Sequence, residues 1–154
     1  MILIDTNILI YAINMDSPMH EPAQLWLKKQ LSAGTRIGLP WLVIVAFVRL
    51  TTNHRVFPNP LSAEDAIQAV NEWLAIPHVS PLNPGDNHWQ TLSRLLLRVG
   101  AAGNLTNDAH LAAIAIDNAC VICSADNDFK RFQGVQHFNP IADEDAVHEP
   151  MLSY

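Results

Sequence analysis

With 154 residues, 49% of them hydrophobic, the chain suits one globular domain with a real core and leaves little room for a second. Nine Lys and Arg face fifteen Asp and Glu, a formal net charge of -6, which argues against simple electrostatic capture of a polyanion; local basic patches or a bound cation would have to attract one. The longest apolar stretch, residues 37–48, contains Gly38 and Pro40 and is shorter than the roughly 18 residues of a membrane span, and no basic segment precedes the apolar start, so a cytosolic protein without membrane insertion is expected.

In chain order, Ile2 to Asp5 reads as a short buried strand, followed by a brief helix from Ile8 to about Ile13 with Thr6 and Asn7 as capping side chains. Pro22 fits the first turn of a helix that runs to about Leu31, with Trp26, Leu27 and Leu31 on its apolar side and Gly34 beyond its end. Arg36 to Leu39 is a second strand. Pro40 then opens a helix from Trp41 to Thr52 that is too apolar all round for a surface element. Ser62 and Asp65 resemble a capping box for a helix carrying Ala66, Ile67, Val70, Trp73 and Leu74 on one stripe, stopped by Pro77. His78 to Ser80 is a third strand, and Asp86 caps a helix on which Trp89, Leu92, Leu96 and Val99 recur at helical spacing. Asn107 caps another, Asp108 to Asn118, before the strand that spans Ala119 to Ser124. Strands alternating with helices imply a parallel sheet covered on both faces. Residues 1–140 form the single domain in this reading, and 141–154, with Asp143, Glu144, Asp145 and Glu149, form an acidic, solvated C-terminal tail.

Three separate segments, ILIDTN, LTNDAH and CSADNDF, each set an Asp where an apolar run ends or a helix begins. Carboxylates at the carboxyl ends of parallel strands converge on one crevice of an open sheet. Such a cluster repels itself unless protons or a cation lie among its members, and a hard divalent ion suits oxygen ligands best. Asp5, Asp108, Asp126 and Asp128 are therefore the candidates for metal-dependent chemistry on phosphate. Each has an ordinary structural reading as well: a favourable charge at a helix start for Asp108, a turn for Asp126 and Asp128. Asp5 is the hardest to explain away, because an acid directly after a buried strand costs folding energy without a partner. Cys120 and Cys123 form a C-x-x-C spacing, yet they lie in a strand, where positions three apart face opposite ways, and no second pair completes a zinc site. They are expected to be reduced core thiols.

ILIDTNILIYA, PWLVIVAFVRLTTN, NDAHLAAIA and SADNDFKRF, spread in that order over nearly the whole chain, resemble the PIN-domain ribonucleases, specifically the VapC-type toxins of bacterial toxin-antitoxin pairs. The resemblance implies an α/β/α fold with a parallel sheet of about five strands, a magnesium site that manganese can fill, hydrolysis of RNA phosphodiester bonds, a VapB-type antitoxin as partner, and a homodimer. By position it implies that Asp5, Asp108 and Asp126 hold the metal, that Asp128 stands next to the ion as a further catalytic residue, and that Ser124 helps orient the attacking water. Thr6 and Asn7 match the polar residues after the first Asp. Arg49 matches a basic residue of the central helix motif. Arg49, His54 and Arg55, together with Lys130 and Arg131, are the basic candidates for holding RNA, against the ordinary reading of a solvated charged face. The Trp residues are poorer candidates for base stacking, since Trp26, Trp73 and Trp89 fall on apolar helical stripes suited to core or dimer packing. The chain departs from the family pattern at one place: the central helix usually carries a Glu where this sequence has Ala46. That substitution motivates a second reading, a catalytically impaired PIN fold that binds RNA or protein. A third, a haloacid-dehalogenase-like phosphatase, wants a second Asp where Asn7 stands.

Overall fold

The computed structural model describes residues 1–142; all but the first two positions of the tail expected over 141–154 lie outside the described residues. Five strands, β1 (Ile2–Ile4), β2 (Ile37–Pro40), β3 (Val79–Leu82), β4 (Val121–Cys123) and β5 (Gln136–Phe138), form one parallel sheet ordered β3-β2-β1-β4-β5. Six helices flank it: α1 (Thr6–Ile13), α2 (His20–Ser32), α3 (Trp41–Thr51), α4 (Ala63–Leu74), α5 (His88–Val99) and α6 (Thr106–Asp117). This is the three-layer α/β/α arrangement expected of the sequence.

The centre of the sheet is its most apolar part. Ile2, Leu3 and Ile4 of β1, with Ile122 and Cys123 of β4, are fully buried, as parallel strands covered on both faces must be. Cys120 and Cys123 are both buried and free, as expected, with burial pushing the thiol of each upward. Gly38 faces the side chain of Leu82, and a Cβ built on it would overlap that leucine's Cγ and Cδ1 atoms. On the outer layers, Thr91 of α5 donates to Asp117 of α6 at 3.0 Å, and His88 and His110 hydrogen-bond at 2.8 Å, tying α5 to α6. No helix of the described residues is long and apolar enough to cross a membrane.

Several local expectations need correction. α1 begins at Thr6, and Asp5 is itself the N-cap, accepting from the Thr6 N–H at 2.7 Å. Ser62 does cap α4 through the Asp65 N–H, but Ile67 is exposed while Ala66, Val70 and Trp73 are buried, so the packed stripe is narrower than the apolar pattern. Asn87, without a side-chain bond, takes the cap position assigned to Asp86, and α6 starts at Thr106 out of a 3₁₀ turn, so Asn107 lies inside the helix and does not cap it. Trp89 is 71% exposed, because α5 buries the arc of Thr91, Leu92 and Leu95 and the indole falls beside it. Nor is α3 buried all round. It packs with Val43, Ile44, Phe47 and Thr51, and leaves Trp41, Val45 and Arg49 exposed at intervals of one helical turn.

Candidate metal centre

Because the strands are parallel, the residues that follow them gather at one end of the sheet. β1 and β4 are neighbours, with Ile4 opposite Cys123, so Asp5 emerges beside Ser124 and the Asp5 N–H donates to the Cys123 carbonyl at 3.0 Å. α6 leads into β4, and its first turn therefore brings Asp108 to the same end. Asp126 caps the 3₁₀ turn 127–131 by accepting from the Asp128 N–H at 2.8 Å, which aims both acids at the crevice.

Ser124 is the hub. Its hydroxyl donates to Asp5 Oδ2 at 2.7 Å and accepts from Asn7 Nδ2 at 3.1 Å and from the Asp126 N–H at 3.0 Å. Its backbone N–H donates to the Phe138 carbonyl at 3.0 Å, and its carbonyl lies 3.0 Å from His137 Nε2. A carbonyl only accepts, so His137 carries its proton on Nε2. The ring of His137 also stacks on Phe129, with centroids 5.8 Å apart. Asn7 completes the join between the two turns by accepting the Ala125 N–H at 3.2 Å. A fully buried serine with all its polar atoms engaged fixes where Asp5 and Asp126 point.

Oxygen atoms of Asp108, Asp126 and Asp128 lie within 4.8 Å of one another, forming a group able to hold a cation. Asp5 stands outside that group of three, close enough that its charge acts on Asp108 and that Asp126 acts on it. Burial raises the Asp5 carboxyl above its ordinary value against the downward pull of Ser124 and Thr6. Asp108 is pushed up to about 7, first by burial, then by the charges of Asp126, Asp5 and Asp128. Like charges so placed favour a proton or a cation between them, and an all-carboxylate donor set matches a hard divalent ion. The residues therefore fit the metal the sequence calls for. Of the basic candidates, Arg49, His54, Arg55, Lys130 and Arg131 are all exposed. Ala46 is half-buried on α3.

His137 escaped the sequence reading. It is thirteen residues from Ser124 with no motif to flag it, and only the pairing of β4 with β5 brings the two together. In sequence Asn7 is only a polar neighbour of the first Asp; its span from Asp5 to Ala125 is a feature of the folded chain.

Residues 2–135 match the PIN domain family. Among curated proteins, the chain is 45% identical over 140 residues to ribonuclease VapC37 of Mycobacterium tuberculosis, covering 91% of this chain and 97% of that one. It is 40% identical to ribonuclease VapC25 of the same organism, covering 91% and 99%. Among solved structures it resembles a chain of VapBC2 from Rickettsia felis bound to a promoter DNA fragment, with a TM-score of 0.65 at 19% identity over 90% of this chain and 98% of that one. A chain of FitAB bound to a DNA fragment gives a TM-score of 0.67 at 18% identity over 94% and 98%. The structural likenesses speak for the fold; the sequence matches, which run through every segment carrying a candidate Asp, establish that this chain belongs to the PIN domain family, among the VapC ribonucleases.

Proposed function

We propose that this protein is the endoribonuclease toxin of a toxin-antitoxin pair, hydrolysing RNA phosphodiester bonds with the help of a divalent cation, magnesium by preference and manganese as substitute. The observation that carries the reading is the convergence of Asp5, Asp108, Asp126 and Asp128 at one end of the sheet, in a chain whose relatives are named ribonucleases. Asp5, Asp108 and Asp126 would hold the ion, with Asp128 beside Asp108 and Asp126. Bound there, it supplies the positive charge that neutralises the scissile phosphate as attack proceeds.

The protein's own groups do the rest. Ser124 and Asn7 hold Asp5 so that its carboxylate faces the crevice. Asp128, the most exposed of the acids, takes up the proton of the attacking water at its carboxylate. Direct attack by water needs no covalent intermediate, and leaves a 5'-phosphate and a 3'-hydroxyl. Arg49, Arg55, Lys130 and Arg131 contact flanking phosphates. The partner is a VapB-type antitoxin, a role supported by the VapBC complexes among the structural neighbours. An Arg of that partner would suit the carboxylate crevice bidentately. The active species is a homodimer.

The test is a nuclease assay on total RNA with magnesium, manganese or chelator, with Asp5→Asn as control. Metal-dependent cleavage by the wild type and none by the variant is the expected result; equal cleavage by both would remove Asp5 from the site. Ala46 favours a second reading, in which the fold binds RNA without cutting it. Intact RNA bound to the wild type at saturating magnesium and manganese would decide for that reading. Rescue of growth by co-expressing a neighbouring small reading frame tests the antitoxin.

A further inference from the structure

We propose that Trp41 is a base-stacking subsite, taking an unpaired RNA nucleobase beside the phosphate presented to the Asp cluster. The inference rests on the function proposed above and names the part of the substrate that this surface reads.

The placement follows from strand register. Leu3 of β1 pairs with Gly38 of β2, so two residues on, Asp5 stands level with Pro40, and Trp41 is the next residue, the first of α3. Adjacent strands run about 4.8 Å apart, so α3 starts at the same end of the sheet as the acids, one strand over from Asp5. Trp26 and Trp73 are buried; of the two exposed tryptophans, Trp41 at 46% and Trp89 at 71%, Trp41 is the one that follows the strand next to β1. Along the same face of α3, Val45 is exposed one turn on and Arg49 two turns on, while Val43, Ile44 and Phe47 face inward. An exposed aromatic plane at the start of α3 and a guanidinium two turns along match the alternating demands of a single strand, a base face to stack and a phosphate to neutralise.

A contact that does not depend on charge suits this chain, whose 9 basic residues face 15 acidic ones and whose acids at the crevice repel a backbone until a cation is present. Stacking is indifferent to net charge. It is also available only to bases outside a duplex, so this subsite selects single strands, loops and bulges.

The experiment measures fluorescence anisotropy of a fluorescein-labelled, mixed-sequence single-stranded RNA 12-mer with magnesium, in an Asp126→Asn background that keeps the probe intact, alongside the matching duplex. Trp41→Ala and Trp41→Leu should weaken single-strand binding by roughly tenfold or more at every salt concentration, with Trp41→Phe retaining most of it. Arg49→Ala should instead lower the slope of log affinity against log salt by about 0.7. Undiminished binding by Trp41→Ala overturns the subsite. So does a loss of binding that comes with a drop in oligomer mass, which would assign this face to another protein chain. An otherwise unaltered wild type that neither binds nor cuts single-stranded RNA overturns the function proposed above and this inference with it; a wild type that cuts RNA while Trp41→Ala binds equally well overturns this inference alone.

Discussion

The middle of the sheet and its carboxyl-terminal edge are a few residues apart in sequence and opposite in energetics. In β1 and β4, Ile2, Leu3, Ile4 and Ile122 are buried without remainder, each contributing about 1.5–3 kcal/mol of hydrophobic stabilisation. One residue past Ile4, and three past Cys123, the chain sets down acids, and burial, with repulsion from Asp126, Asp5 and Asp128 added to it, pushes Asp108 up to about 7. The strands make the fold; the turns after them oppose it until a proton or a cation enters. The contrast teaches that the site is tolerated because its framework is supported elsewhere, and that the two regions should fail in different ways when altered.

Asp126→Asn should produce the largest effect, since Asp126 acts on Asp5 and Asp108 and anchors the Asp128 N–H. Nuclease turnover should fall by about a thousandfold or more, the several kcal/mol a cation supplies, while the metal-free melting temperature holds or rises. Ile2→Ala should do the reverse. It lies at the far end of β1 from the crevice and should cost about 2–5 kcal/mol of stability in denaturant unfolding, with turnover per folded molecule kept. A variant of either kind showing both losses would erase the distinction between the regions.

The border between them is Ser124, and His137 tests it. His137→Phe keeps an aromatic ring against Phe129 but leaves the Ser124 carbonyl without its donor. Magnesium affinity by calorimetry should weaken about 10–100-fold, as for other partners that orient metal ligands, and His137→Gln should recover part of it. If both variants bind magnesium as the wild type does, the pin is only structural.

The smallest effect is one of pH. Asp108 has an ordinary value of 3.8 and a folded value of about 7, so between these the folded protein keeps a proton that the unfolded chain has released. Metal-free stability should therefore decline as pH rises from about 4 to about 7, most steeply midway between the two values, and Asp108→Asn should flatten that decline. Thermal melts across the range, with chelator and then with magnesium, measure it; added magnesium should reverse the trend by favouring the ionised form.

Much of this was legible in the residues. Continuous apolar runs ending in Asp announced β1, β4 and the end of the sheet where the acids meet, because a buried parallel strand has no polar alternation to confuse it. β5 had no such signature: Gln136, His137 and Phe138 make a short edge strand that is exposed or half-buried throughout, and pattern alone does not separate it from a loop. The starts of α5 and α6 were misplaced by a residue or two because several capping side chains stand together there and tertiary packing chooses among them. Hydrophobicity alone places Ile67 and the outer face of α3 on packed surfaces and Trp89 in the core or at a dimer contact, and of these the exposed Trp89 loses the core reading. Periodicity identifies an apolar stripe without saying whether the rest of the chain is wide enough to cover it. The acids themselves were found, but not the hydrogen-bonded pin through Asn7, Ser124 and His137, whose members are far apart in sequence.

At Gly38 a single hydrogen atom has an outsized role. A methyl group there would overlap the Cγ and Cδ atoms of Leu82, so Gly38→Ala would force that side chain, or the strands that hold it, to shift. β2 runs straight into Pro40 and Trp41, two residues later. Leu82 stands opposite Pro40, so the leucine that fills the space over Gly38 also backs the start of α3, and the smallest possible substitution in the interior would be felt where that helix begins.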